Sequence, residues 1–286
     1  MGQETVTYLT NIVIAVILAG LLTHSWMAQG RTESLRCWMI SAWIIATADM
    51  LFALRPELPA AFGRFAPTFL ITLGQAGLLL GARATAGQTR PWGVLSAVAA
   101  IHAAVLGYFL TLDQPTHWRM VANGVVWAGL SLASFASLRK APVFFWKPAF
   151  APANVFLLHA AFHLLRLGFA IASATYDWTG IAAALQILGD LEASFFTVAL
   201  FVALLIATLQ LRHQELSSAR AEVETLSGLL PICAWCKKVR DDAGYWQQVE
   251  DYFERRDRIR FTHGICADCA DNFKDQPFEP SAPEQK

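Results

Sequence analysis

The chain has 286 residues, of which 55% are hydrophobic and only 15% charged, with 22 basic and 22 acidic side chains. A soluble domain carries roughly 25% charged residues, so an ordinary soluble globular protein is excluded. The zero net charge averages two unlike parts: charges are sparse up to Arg212, then Glu215, Arg220, Glu222 and Glu224 follow in quick succession.

Taken in chain order, apolar runs long enough to cross a bilayer, which needs about 20 residues, lie near Thr5–Trp26, Leu35–Leu54, Ala61–Gly81, Trp92–Leu112, Trp118–Leu138, Ala153–Ser173 and Gly180–Leu211. The first lacks a basic leader and a clean cleavage site, and reads as a retained helix rather than a signal peptide. The third is interrupted by Pro67 and Gly74. Backbone groups in hydrocarbon must be satisfied internally, so all seven are expected to be helical. Residues 1–208 thus read as an all-α polytopic bundle, expected to sit in a bacterial inner (cytoplasmic) membrane.

Lys/Arg bias sets the expected orientation. Alternate connections carry Arg31 and Arg36, Arg83 and Arg90, and Arg139, Lys140 and Lys147; the others carry Arg55 and Arg64, then Arg119. The richer set is expected inside, which places the N-terminus outside and the C-terminus in the cytoplasm.

Ionisable groups within spans warrant a functional hypothesis. His159, His163 and Arg166 share one face of the sixth span, and Gln186, Asp190 and Glu192 lie in the seventh. Arg166 and Asp190 fall at similar depth and could pair. His102 and His163 fall near mid-membrane, and Asp49 near the end of the second span. Three readings stay open: a hydrogen-bonded seam that fixes packing, a ligand- or proton-sensing pocket, and a haem or second-metal site built on His159 or His163 with His102 or a carboxylate.

The segment Leu35–Ala84 has a Trp-containing helix, an Arg-x-x-Leu-Pro turn at Arg55–Pro59, and a following helix ending in Gly81 and Arg83. In these it resembles the multi-helix membrane sensor regions that precede bacterial diguanylate cyclases. No cyclase signature, kinase nucleotide box or phosphodiesterase motif follows.

Beyond the spans, Leu209, Leu216, Ala219, Val223, Leu226 and Leu230 step by sevens, threes and fours, an a/d seam with the charges off it. Residues 209–230 are expected to form a helical stalk that pairs as a parallel homodimer, or else a single amphipathic helix. Gly228 and Pro231 end it.

Residues 231–275 hold two C-x-x-C pairs, Cys233/Cys236 and Cys266/Cys269. Two such turns can complete a tetrahedron of thiolates around one zinc ion, and so small a domain needs a structural metal. The expectation is a small α+β, treble-clef or zinc-ribbon-like module with a knuckle at Cys233–Cys236. A strand over Lys237–Arg240 leads to a turn at Asp241–Gly244, a helix over Tyr245–Arg256, a strand over Arg258–Thr262 and a last helix from Cys266. His263 is expected to support the ligands from behind. A pair of redox-active dithiols is the rival reading, and structural disulfides need the opposite topology. Arg255, Arg256, Arg258 and Arg260 are offset by neighbouring carboxylates, so no nucleic-acid footprint is expected. Residues 276–286 read as disordered.

The residues Leu230–Cys233, Cys236–Lys238, Arg240–Asp242, Gly244–Trp246, His263–Gly264, Cys266 and Cys269 resemble a four-cysteine segment found at the C-termini of bacterial response regulators and PAS- or GAF-containing sensory proteins. Ala267 stands where that family often has Pro, and Val239 where Ile is common. The resemblance implies a signalling context, an unidentified cytoplasmic partner and no catalytic activity. The sequence reads as a membrane sensor relaying a cue through the stalk to the tail. An intramembrane haem or metal redox protein and a thiol switch at the four cysteines are the alternatives.

Overall fold

A computed structural model describes residues 3–28, 31–112, 116–172, 179–227, 231–241, 243–262 and 264–274, with side chains except at 3–10, 116, 179–187, 190, 224–227, 257 and 272–274. The chain divides into two units, Met1–Glu215 and Leu216–Lys286.

The first unit is a helical bundle. Its elements are α1 (Gln3–Ala28), α2 (Glu33–Ala53), a 3-10 turn (Arg55–Glu57), α3 (Ala60–Thr85), α4 (Trp92–Thr111), α5 (Thr116–Leu138), a second 3-10 turn (Val143–Phe145), α6 (Pro152–Ala172) and α7 (Thr179–Ser227). All seven helices are long and apolar enough to cross a membrane. Pro67 does not break α3, which runs unbroken through it; Pro costs one helical hydrogen bond, a loss that membrane helices tolerate when neighbours surround them.

Helix α2 packs against α1 and α3, α5 packs against α3 and α6, and α4 flanks α3 and α5. Because lipid tails are as apolar as Leu, close packing rather than water exclusion holds such helices together. The α2–α3 seam shows how. Gly74, Gly77 and Gly81 present one small-residue stripe to Ile45, Ser41 and Trp38, which run the opposite way along α2. A methyl on Gly74 would sit 2.6 Å from Ile45 Cγ1, and methyls on Gly77 and Gly81 would collide with the Ser41 hydroxyl and the Trp38 indole. Trp38, 1% exposed, in turn meets Phe145 at 5.9 Å between ring centroids. Helix α7 completes the core with Phe196, Leu200 and Leu204. Phe196 lies edge-on to Phe156 of α6 at 5.8 Å, and the Ser194 hydroxyl donates to Asn11 Oδ1 of α1 at 2.6 Å. Trp92, Val94, Ile101 and Tyr108 of α4 point outward, as suits a helix whose outer face meets hydrocarbon.

In the second unit the exposed stalk residues Leu216 and Val223 continue the seven-residue step from Leu209, also exposed. Beyond them, β1 (Val239–Arg240) pairs antiparallel with β2 (Trp246–Gln247), and Ile232 bridges to Val239. Two short helices follow, α8 (Val249–Asp257) and α9 (Ala267–Lys274). Two expectations are corrected here. Tyr245 and Trp246 belong to a hairpin rather than to the helix. The Asp241 carboxylate accepts from the Ala243 and Tyr245 amides at 3.1 and 2.8 Å and from Gln247 Nε2 at 3.0 Å, closing a turn that needs Gly244 at φ +88°. The stretch 258–262 is not a strand among the described residues: Arg258, left-handed at φ 55°, caps α8, and no partner strand is there to pair with it. His263 lies outside the described residues.

Gly81→Ala is expected to lower unfolding stability in detergent by about 1–3 kcal/mol, the usual cost of overpacking. Gly93→Ala, where an added Cβ meets nothing within 4 Å, is expected to leave stability unchanged or slightly raised. Parallel thermal melts of the two variants check this.

Candidate ligand cavity and cysteine module

An apolar bundle offers polar side chains few partners, and several of those in this one line a single cavity. A cavity of about 210 Å³ is lined by residues from all seven helices, including Asn11, Asp49, Gln75, Leu106, Asn123, His159 and Glu192. It lies toward the end where α2 joins α3.

Its floor is built by α3, α6 and α7. His159 Nδ1 lies 2.6 Å from Glu192 Oε1, and His163 Nε2 lies 3.9 Å from Glu192 Oε2. The other nitrogen of His159 is 3.0 Å from Gln75 Nε2. The Gln75 amide therefore donates to His159 Nε2, which fixes the Nδ1–H tautomer, and that N–H donates to the Glu192 carboxylate. Phe196 stacks on the His159 ring at 3.7 Å, and His163 presents its ring edge-on to Trp127 at 5.2 Å. Gln75 is 3% exposed, and its Oε1 has no hydrogen-bond partner among the described residues.

A second cluster adjoins the wall. Trp127 Nε1–H donates to Thr72 Oγ1 at 3.0 Å, and Thr72 lies 2.9 Å from His102 Nδ1. A hydroxyl has one proton, and the more distant Thr68 carbonyl at 3.3 Å competes poorly for it. Thr72 thus donates to His102 Nδ1, and His102 Nε2–H donates to Asn123 Oδ1 at 3.1 Å. Both ring nitrogens of His102 are engaged there, and His102 does not line the cavity. Of the two partners expected for His159 or His163, His102 or a carboxylate, it is the carboxylate of Glu192 that lies beside them.

Four guanidiniums line the same cavity: Arg55 from the 3-10 turn, Arg64 from α3, Arg119 from α5 and Arg166 from α6. Room for Arg166 comes from Gly189, where a Cβ would lie 2.8 Å from Nη1. Asp49 and Glu192 are the carboxyl groups among the described lining residues. The side chains of Gln186 and Asp190, and with them the expected Arg166–Asp190 pair, lie outside the described residues.

Sequence reasoning found His159, His163, Arg166 and Glu192, and it noted Asp49. It missed Gln75, Thr72, Asn123, Trp127 and Gly189, which carry no charge and look like ordinary members of apolar helices. Arg55, Arg64 and Arg119 registered only as topology signals, because each lies within a turn or so of a helix end. His159, His163 and Glu192 offer ligand atoms all within 4.8 Å of one another and could hold a metal ion. A haem, several times larger than the benzene that fits a cavity of about 150 Å³, exceeds this volume.

In the C-terminal unit, each C-x-x-C pair forms its own turn. Cys233 donates its N–H to the Lys238 carbonyl at 2.8 Å and accepts at its carbonyl from Lys237 N–H at 3.0 Å, with Lys237 left-handed at φ 59°. The Cys236 amide points at Cys233 Sγ, 3.5 Å away. The backbone N–H groups of Cys236 and then Trp235 hold the Cys233 thiol below its ordinary pKa, and the Cys269 N–H does the same for Cys266. Such thiols suit metal binding. No three of the four sulfurs lie within 4.8 Å of one another among the described residues. Trp235, between the first two cysteines, is 94% exposed.

Comparison of the chain with protein-family models, with curated proteins and with solved structures finds no match.

Buried hydrogen bonds between membrane helices average about 0.6 kcal/mol, with a maximum near 1.7 kcal/mol. Thr72→Val removes the hydroxyl shared by Trp127 and His102 and is expected to cost about 1–3 kcal/mol in a detergent unfolding titration. Thr85→Val, which loses only a bond to the carbonyl of Gly81 in its own helix, is expected to cost less than half as much.

Proposed function

We propose that the protein is a sensory receptor of a bacterial inner membrane, in which a small ligand binds the seven-helix cavity and biases a cytoplasmic C-terminal module. One observation carries this reading. The cavity draws on every helix of the bundle, and Glu192 at its floor belongs to α7, the helix that runs on to Ser227 at the threshold of the cysteine module.

The orientation follows from charge. Arg31, Arg36, Arg83, Arg90, Arg139, Lys140 and Lys147 belong to the α1–α2, α3–α4 and α5–α6 ends, the side on which the chain leaves the bundle through α7. The positive-inside bias makes that side cytoplasmic and opens the cavity toward the periplasm. Glu33, bonded to Arg90 at 2.5 Å and to Arg36 at 3.3 Å, ties the α2 end to the α3–α4 connection on that basic side. In the reducing cytoplasm Cys233, Cys236, Cys266 and Cys269 stay thiols and hold one structural zinc, the two turns closing on the ion when it binds. The exposed Leu209, Leu216 and Val223 support a parallel homodimer through the stalk, and Trp235 is the natural anchor for a cytoplasmic signalling partner. The reading is of a receptor rather than an enzyme.

The cluster His159, His163 and Glu192 favours a second reading, a metal ion in the bundle. Elemental analysis separates the two. One zinc per chain, lost in Cys233→Ser and kept in His163→Ala, supports the receptor reading; a metal lost in His163→Ala favours the second. Chains without zinc whose cysteines are oxidised point to the thiol switch. Coupling is read by hydrogen exchange over residues 213–227 in full-length protein in nanodiscs. Glu192→Leu is expected to change the exchange rates there at least about threefold, a shift of roughly 0.65 kcal/mol or more. Identical rates in the two proteins would remove the proposal.

A further inference from the structure

We propose that the basic connection between α5 and α6 is a headgroup site for an anionic phospholipid. The lipid phosphate lies against Arg139, Lys140 and Lys147, and an acyl chain lies along the outer face of α6. The inference goes beyond the receptor reading and needs only that the bundle crosses a membrane.

Charge comes first. Residues 138–152 are all described, and the chain has no Asp or Glu between Asp113 and Asp177. Arg139, Lys140 and Lys147 are exposed and have no carboxylate partner among the described residues. The end of α3 adjoins them, because Gln88 Nε2 donates to the Ser137 carbonyl at 3.3 Å. It adds Arg83 and Arg90 and no acidic residue. Arg90 is taken up by Glu33, and Arg83 donates to the Thr89 carbonyl. The C-terminal end of α5 supplies about half a negative charge, too little to balance the three exposed cations that follow it. A phosphate completes the balance.

Shape comes second. The connection folds back on itself: Trp146 Nε1–H donates to the Ala141 carbonyl at 3.2 Å, and the Arg139 guanidinium lies 5.0 Å from the centre of the Trp146 ring. Arg139 and Lys140 are thereby brought beside Trp146 and Lys147. The turn is fixed by its backbone, with Phe145 N–H donating to the Pro142 carbonyl at 2.9 Å and Lys147 N–H to the Val143 carbonyl at 3.0 Å. Buried Phe145 pins it to Trp38, and Asn154 Nδ2 donates to the Pro148 carbonyl at 2.9 Å. A guanidinium stacked on an indole keeps its N–H edge for an anion, and Trp suits headgroup depth.

The third observation is independent of charge. Phe150, Leu157, Leu164 and Ile171 are all exposed. They recur every seven residues, which keeps them close to one face of α6 and its entry. An apolar stripe therefore begins at the cations and runs down the helix, the outline of a headgroup with its chain. A bare apolar face would suit a second copy of the chain equally well. The cations at its head decide between the two, because parallel copies meeting along this stripe would set Arg139, Lys140 and Lys147 against their own duplicates.

The test is native mass spectrometry of full-length protein from a neutral detergent, with phosphatidylglycerol and phosphatidylcholine of matched chains added at equal concentration. A basic residue beside an anionic headgroup is worth about fivefold in affinity, so wild type is expected to prefer phosphatidylglycerol by at least about twentyfold. Arg139→Gln combined with Lys140→Gln and Lys147→Gln is expected to reduce that preference below about threefold. If this variant melts early, Lys140→Gln with Lys147→Gln, which leaves Arg139 on Trp146, is expected to reduce it about fivefold or more. The control removes three engaged charges from the same side, Arg36→Gln with Arg83→Gln and Arg90→Gln, and is expected to stay within about threefold of wild type. Equal losses in the two triple variants would reduce the effect to the general field of a basic surface and overturn the site. Equal affinity of wild type for the two lipids would do the same. Dimers that dissociate in Leu157→Gln with Leu164→Gln, with lipid binding unchanged, would give the stripe to a second copy and also overturn the proposal.

Discussion

Glu192 enters the bundle on α7 among groups that hydrocarbon cannot hydrate, so its carboxylate depends on what the neighbouring helices bring to it. His159 of α6 meets it at 2.6 Å and Gln75 of α3 holds the far side of the imidazole. This chain of three side chains fixes more than a local contact. It sets the tautomer of His159, the orientation of the Gln75 amide and the register at which α3, α6 and α7 face one another. Breaking a buried polar chain in one place strands the remaining groups, which costs more than the bond was worth. The floor of the cavity is therefore among the least adjustable parts of the bundle, and the arginine mouth, with Arg55 and Arg64 exposed, is the adjustable part.

The seven helices were legible in the sequence because the bilayer imposes a length and a composition on every one of them. Each expected span matches an observed helix, with ends displaced by a few residues except at α7, where the helix continues through the stalk to Ser227. The i, i+4 spacing of His159 and His163 likewise put both on one face, as found. Thr72, Gln75, Asn123 and Trp127 could not be read this way. An uncharged polar side chain in an apolar helix has the same appearance whether it bonds its own backbone, as Thr85 does, or reaches another helix, as Thr72 does. Only the packing decides. The glycine stripe of α3 was a related failure: Gly74 read as an interruption, whereas it, Gly77 and Gly81 admit Ile45, Ser41 and Trp38. In the tail, the helical pattern of Tyr245–Arg256 was real only from Val249 onward, because the Asp241 carboxylate captured the amides of Ala243 and Tyr245 and committed the preceding residues to a hairpin.

The same cavity holds a set of metal-ligating atoms and a ring of guanidiniums, and the two chemistries oppose one another. A divalent ion beside His159, His163 and Glu192 adds positive charge to a lining already rich in arginine. At an effective dielectric of about 20, unit charges about 4 Å apart interact by about 4 kcal/mol, comparable to a strong ligand bond to the protein. The direct contact of His159 with Glu192 and of Gln75 with His159 also means that the ligand atoms have partners without an ion.

A ligand shifts an equilibrium only as far as it binds one arrangement better than another. Contacts confined to α2, α3 and α5 would leave α7 indifferent to occupancy, however tight the binding. The cavity is not built that way. Gly189, Glu192, Phe196 and Thr197 of α7 all line it, and Gly189 leaves the space into which the Arg166 guanidinium reaches. A ligand that displaces Arg166 changes what sits against Gly189, and one that engages Gln75 changes what holds His159 against Glu192. Both effects bear on the one helix of the bundle whose sequence continues into the C-terminal unit, which is the physical reason to look for the response there.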